Sequence, residues 1–238
     1  MHTRIWHHYW PRTHIILSHT HNHRRIGARL RALGLLAVRL AVSVVLVVSL
    51  CRAEADPTSP SARDILKRGT IEAGGVVGFW QALDGPFQGP SANRSAVFIK
   101  PRIGMVVTDE IQAGLLTGNL EVLVEPFFAR FTQPFPAEAA GGTLVFKYNL
   151  LSFGRWMPFW DAGVGMLWTN LAPRIPEQST PLNLLIETGP GVQYFMTEQT
   201  TLTLGVRYSH ISNADTGERN IGLNAILPYA GLSWLLTR

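Results

Sequence analysis

From Gly69 onward the chain keeps little helical period. Glycine, proline, asparagine and aspartate instead break it into eight segments of strand length and composition, at approximately 69–81, 95–107, 118–131, 141–150, 157–169, 183–195, 200–212 and 221–236. All of these are longer than the about 5–6 residues of a globular strand. They suit a tilted strand crossing a bilayer, which takes about 9–11 residues. The segment 200–212 shows the pattern most clearly: Leu202, Leu204, Val206 and Tyr208 fall on one face, and Thr203, Gly205, Arg207 and Ser209 on the other.

One oily and one polar face also suit a soluble sandwich or lipocalin with its apolar side inward. The connections favour the membrane. Residues 82–94, 132–140, 170–182 and 213–220 read as longer and rich in proline, glycine and polar residues, whereas 151–156 and 196–199 are short. Alternating long and short connections, an even strand number and girdle aromatics (Trp80, Phe127, Phe128, Trp156, Trp160, Trp168, Tyr194, Phe195 and Trp234) describe an all-β, eight-stranded antiparallel outer-membrane β-barrel. The connection 108–117 is long for its side of such a barrel. Side chains fill the interior of an eight-stranded barrel, so no pore is expected.

The first 55 residues read as an N-terminal extension and a removable secretory signal. Arginines at 4, 12, 24, 25, 29, 31 and 39 precede the apolar run Leu40–Leu50, and Ala53-Glu54-Ala55 supplies a small-x-small site with cleavage expected before Asp56. An uncleaved anchor is the alternative, but Arg39 interrupts the only candidate for the about 20 apolar residues it needs. Leu50 before Cys51 is too bulky for a lipidation signal. Export then leaves residues 56–238 as a single barrel domain. Eight arginines and Glu54 depart with the leader, leaving 13 basic and 15 acidic residues, so the net charge changes from +5 to −2. The basic balance of the whole chain therefore gives no reason to expect nucleic acid. The only cysteine, Cys51, also leaves, which removes disulfides and thiolate metal sites from consideration.

Seven of the eight histidines lie between His2 and His23, ahead of the cleavage site; such density can chelate divalent ions, but the segment is expected to be discarded. His210 is the histidine that remains. Ser212 follows two residues later, on the same face of an extended strand, so a base and a hydroxyl nucleophile become neighbours. With both barrel ends in the periplasm, the seventh strand runs outward. It carries His210 and Ser212 to its external end on the lipid side, the face shared with Leu202 to Tyr208. A hairpin centred near Gly217 places Asn224 opposite His210 on that same face. Without further context, an interfacial histidine followed by Ser-Asn-Ala turn chemistry would be the plainer reading. Arg207 faces the lumen, where an inward acid such as Glu187 would pair with it.

The motif His210-Ile211-Ser212-Asn213-Ala214, followed by Asn220-Ile221-Gly222-Leu223-Asn224, resembles the lipid A 3-O-deacylase (PagL-like, acyloxyacyl hydrolase) family. Asp161-Ala162-Gly163-Val164-Gly165 and Gly189-Pro190-Gly191 resemble its glycine-marked middle strands. The resemblance covers most of 69–238, with its specificity in 205–224. It implies an eight-stranded barrel in the Gram-negative outer membrane that hydrolyses an ester-linked (3-O) acyl chain of lipid A in lipopolysaccharide, without a cofactor or metal. Ser212 would be the nucleophile, His210 its general base, and Asn213 would lie near the oxyanion. Asn224 stands where the family has a glutamate; Asp215 and Glu218 lie in the intervening loop. The end, Leu236-Thr237-Arg238, also lacks the closing aromatic of such barrels. A homodimer is left open. The competing expectations are a catalytically inactive structural barrel and a soluble periplasmic lipid-binding barrel.

Overall fold

The structure is a computed structural model and describes residues 61–83, 93–172 and 174–237. The expected leader, residues 1–55, and its cleavage site lie outside these. Eight antiparallel strands, β1 (Ile71–Ala82), β2 (Ser95–Val106), β3 (Gly118–Gln133), β4 (Ala137–Leu150), β5 (Trp156–Thr169), β6 (Leu182–Phe195), β7 (Thr200–Ser212) and β8 (Leu223–Leu236), close into a barrel in sequence order. β1 pairs with both β2 and β8, so no strand edge is left to satisfy. One expected connection needs correction, and one element is new. The connection read as 132–140 is only 134–136, because Phe131 and Ala137 continue the inward alternation and pair with each other. A short helix, α1 (Ala62–Ile65), precedes the first strand.

The two faces are inverted relative to a water-soluble barrel. Val77, Phe79, Ile99, Ile103, Val124, Leu144, Val164, Ile186, Leu204 and Leu232 point outward and are exposed, while Glu72, Lys100, Glu121, Glu125, Lys147, Asp161 and Arg207 are buried inside. A soluble lipid-binding barrel needs the reverse arrangement, with an apolar cavity within. Of the expected girdle, Phe128, Trp160, Trp168 and Trp234 are exposed on the outside, and Trp156 and Tyr194 form a half-buried ring pair with centroids 4.6 Å apart. Trp80, Phe127 and Phe195 instead face inward and are buried. Strand parity forces the split, since neighbours such as Phe127 and Phe128 cannot share a face.

The lumen is filled in three layers. At the end where β1 begins and β8 ends (the near end), α1 and the residue after it insert Ala62, Ile65 and Leu66 among Val106, Met157, Phe195 and Leu235. Arg63 donates from Nε to Glu110 Oε2 at 2.8 Å, which ties α1 to the β2–β3 connection and holds the Glu110 carboxyl below the usual carboxylate range. In the middle, ion pairs cross the lumen. Arg207 reaches Glu125 and Asp161, each at 2.6 Å, and Glu187 at 3.3 Å; Lys147 reaches Glu72 at 2.7 Å and Glu121 at 2.8 Å. Arg207 therefore does meet Glu187, but two closer acids hold it more strongly. Toward the opposite (far) end, Trp80, Phe127, Phe131, Leu185, Ile211, Leu223 and Leu227 form an apolar layer. β7 runs from the ionic layer into this filled far end and β8 runs back from it, and the candidate site lies on their outer surface.

Candidate active site

β7 and β8 pair with Tyr208 opposite Ile226, His210 opposite Asn224 and Ile211 opposite Leu223. This register follows from the alternation. Ile211, Leu223 and Ala225 fill the far-end core, so His210, Ser212 and Asn224 must face outward, where each is half-buried. The hairpin thus brings together the histidine and asparagine that the sequence places on one face. His210 Nδ1 lies 2.7 Å from Asn224 Oδ1. An amide oxygen accepts only, so Nδ1 is the donor in this contact, and in the neutral imidazole that leaves the lone pair on Nε2. Ser212 stands two residues further along that face, and across the strand pair Leu184 lies opposite Ser212 and Ile186 opposite His210. Apolar, lipid-facing side chains therefore border the polar cluster directly.

The loop that joins β7 to β8 is built by its own asparagines. Asn213 lies on the other face from Ser212 and is buried; its Oδ1 accepts from the Asp215 N–H at 3.1 Å and its Nδ2 donates to Arg219 O at 2.8 Å. Its backbone N–H donates to Asn220 Oδ1 at 3.0 Å, and Asn220 Nδ2 donates to Asp215 Oδ1 at 2.9 Å. Ala214 and Asp215 take positive φ, 51° and 58°, in the resulting turn. Thus Asp215 pairs with Asn220, and His210 Nδ1 faces Asn224.

A second loop, between β5 and β6, clamps the first. Gln178 and Asn220 form a β-bridge, Gln178 Nε2 donates to Ile211 O at 3.1 Å, and the Ile221 N–H donates to Glu177 O at 2.9 Å. Glu177 is itself held by a buried ion pair with Arg94 at 2.8 Å. These long-range partners carry no local sequence signal. Tyr208 was legible only as a lipid-facing residue, yet its hydroxyl donates to Asn224 Oδ1 at 2.6 Å. Among the described residues no group of three or more His, Cys, Asp or Glu is placed to hold a metal ion.

A closed eight-stranded barrel with an ionic lumen, a lipid-facing exterior and a His/Ser/Asn cluster at its far rim defines a membrane-barrel class with hydrolase-type side chains on its outer wall. A model of the lipid A 3-O-deacylase (PagL) family matches residues 103–233, more than half of the chain, and the chain belongs to that family of outer-membrane ester hydrolases. Among solved structures, it is similar to the outer membrane enzyme PagL, at 17% identity and a TM-score of 0.49, covering 67% of this chain and 97% of that one. It is also similar to the N-terminal β-barrel domain of Pseudomonas aeruginosa OprF, at 12% identity and a TM-score of 0.45, covering 71% and 98%. Neisserial surface protein A matches at 14% identity and a TM-score of 0.42, covering 69% and 95%. No curated protein matches the chain.

Proposed function

We propose that this protein is an outer-membrane esterase that hydrolyses the 3-O-linked acyl ester of lipid A, with Ser212 as nucleophile, His210 as general base and Asn224 as the group that orients the imidazole. The 2.7 Å approach of Asn224 Oδ1 to His210 Nδ1, on the lipid-facing wall beside Ser212, carries the reading. The Ser212 proton passes to Nε2 as Oγ attacks the ester carbonyl. Collapse of the tetrahedral intermediate breaks the bond to the sugar oxygen, which takes the proton from the imidazolium. Water, deprotonated by the same nitrogen, then releases the fatty acid and restores Ser212.

Substrate arrives laterally through the lipid, with its acyl chain along Leu184 and Ile186. Asn213 enters the scheme as a loop-setting residue: its amide is already committed to Arg219, and it lies on the face opposite Ser212. Export through the signal in residues 1–55 and a single domain over 56–238 belong to the same proposal. The test is mass spectrometry of lipid A from cells with and without the protein. Loss of one ester-linked acyl chain on expression, absent with Ser212→Ala, is expected; unchanged lipid A would leave a structural barrel.

A further inference from the structure

Tyr208 and His210 both project from the outward face of β7, and both aim at one atom. The Tyr208 hydroxyl lies 2.6 Å, and His210 Nδ1 2.7 Å, from Asn224 Oδ1. Resting on the catalytic roles proposed above, we propose that Tyr208 is a positioning residue: it holds the Asn224 amide with its oxygen toward His210 and so selects the imidazole tautomer that leaves Nε2 free to accept the Ser212 proton.

The need arises from asparagine itself. A side-chain amide has two ends of nearly equal shape and opposite hydrogen-bonding sense. With its oxygen toward His210, Nδ1 bears the proton and Nε2 is a base. With its NH2 toward His210, Nδ1 must accept, the proton moves to Nε2, and that nitrogen has nothing with which to take a proton from Ser212. A carboxylate has two equivalent oxygens and no wrong end. A phenol hydroxyl donates well and accepts weakly, because the ring draws on its oxygen lone pair; next to an amide it therefore favours the oxygen end. Tyr208 is thus matched to an asparagine at position 224 and is largely redundant beside a glutamate.

An aromatic ring that merely anchors the barrel in the interface would contribute equally with either residue at 224. The experiment measures kcat and KM toward lipid A in mixed micelles for the wild type, Tyr208→Phe, Asn224→Glu and the double variant. Tyr208→Phe is expected to lower kcat about three- to tenfold, the range of one neutral hydrogen bond, with KM unchanged. In the Asn224→Glu background the change should be less than about twofold, because orientation no longer matters. Equal losses in the two backgrounds would overturn the inference.

A second readout does not depend on turnover. Isotope-labelled imidazole nitrogen spectra, with the His210 signals assigned by their loss in His210→Ala, should show the Nδ1–H tautomer in the wild type and a rise of the Nε2–H tautomer in Tyr208→Phe. An unchanged tautomer ratio would also overturn the inference. If Ser212→Ala and His210→Ala keep activity, the catalytic reading falls, and the tautomer ratio alone decides the role of Tyr208.

Discussion

At position 224 an amide can orient the imidazole of His210 but cannot neutralise the cation that forms when the imidazole takes a proton. Asn224→Glu is therefore expected to raise the deacylation rate. The loss of charge in a Ser/His/Asp triad costs up to about 10⁴-fold, part of it from a wrong tautomer; here the tautomer is already set, so a gain of about 10–100-fold is expected. A fall in kcat, paired with loss of activity in Asp215→Asn or Glu218→Gln, would mean that a loop acid serves His210 during turnover. Ser212→Ala and His210→Ala should each abolish deacylation while unheated gel mobility stays that of the folded barrel. Gly222 is constrained twice over: its φ is +78°, and a Cβ there would lie 2.8 Å from His210 Cε1. Gly222→Ala should cost activity well beyond any loss of stability, which parallel assays of turnover and urea resistance would separate. Much of this residue-scale picture was legible. The solitary His210, its parity with Ser212 and a hairpin centred near Gly217 point to Asn224 as its partner, and the β7–β8 register places the two opposite each other. The hydroxyl of Tyr208 was not, because parity gives a face but not the reach of a side chain.

Between elements, the β7–β8 hairpin depends on a loop more than 30 residues away in the chain. Glu177 and Gln178 grip the β7–β8 loop, and Arg94, just ahead of β2, grips Glu177 through a pair whose side chains are 8% and 4% exposed. Removing one member of such a buried pair leaves an uncompensated charge, a penalty of about 3–5 kcal/mol. Here it should fall on loop order. Arg94→Met is accordingly expected to lower kcat and to open the β5–β6 loop to proteolysis while the barrel stays folded, and Arg94→Met with Glu177→Leu should recover part of the loss. Equal protease resistance in wild type and Arg94→Met would remove the clamp from the account. The strand bounds themselves follow the alternation so closely that β7 is the same in sequence and structure. A compositional signal is weaker than the alternation. Pro134 and Pro136 suggested a long loop, but Phe131 and Ala137 carry the pairing almost to the turn. α1 is too short, at four residues, to show a period. Residue type alone likewise assigns no face to an aromatic ring, and three of the girdle candidates, Trp80, Phe127 and Phe195, belong to the core.

In the molecule as a whole, the polar and apolar sides are exchanged. The exterior dissolves in hydrocarbon, and the hub of the interior is Glu125, which faces Arg207 at 2.6 Å, Arg102 at 2.9 Å and Lys100 at 3.8 Å. Lys100 and Arg102 reach Glu125 from the adjacent strand β2, whereas Arg207 reaches it from β7 on the other side of the barrel, so that pair specifies which strands lie across the lumen from one another, a role apolar side chains would fill with less selectivity. The same network crowds the lumen between two apolar layers, so the barrel should show no channel conductance in a planar bilayer. Glu125→Gln keeps the shape of the side chain and removes its charge, leaving Arg102 and Arg207 with one acid fewer in a site that excludes water. A loss of about 3–5 kcal/mol is expected, read as a lower urea midpoint for the unheated, folded gel band. Because Glu125 lies inside and His210, Ser212 and Asn224 lie outside, the fraction that remains folded should deacylate lipid A at the wild-type rate. A stability unchanged by Glu125→Gln would mean that the ion pairs contribute little net energy. A slowed rate in fully folded protein would mean that the lumen and the outer wall are coupled through β7, where Arg207 and Tyr208 are consecutive residues on opposite faces.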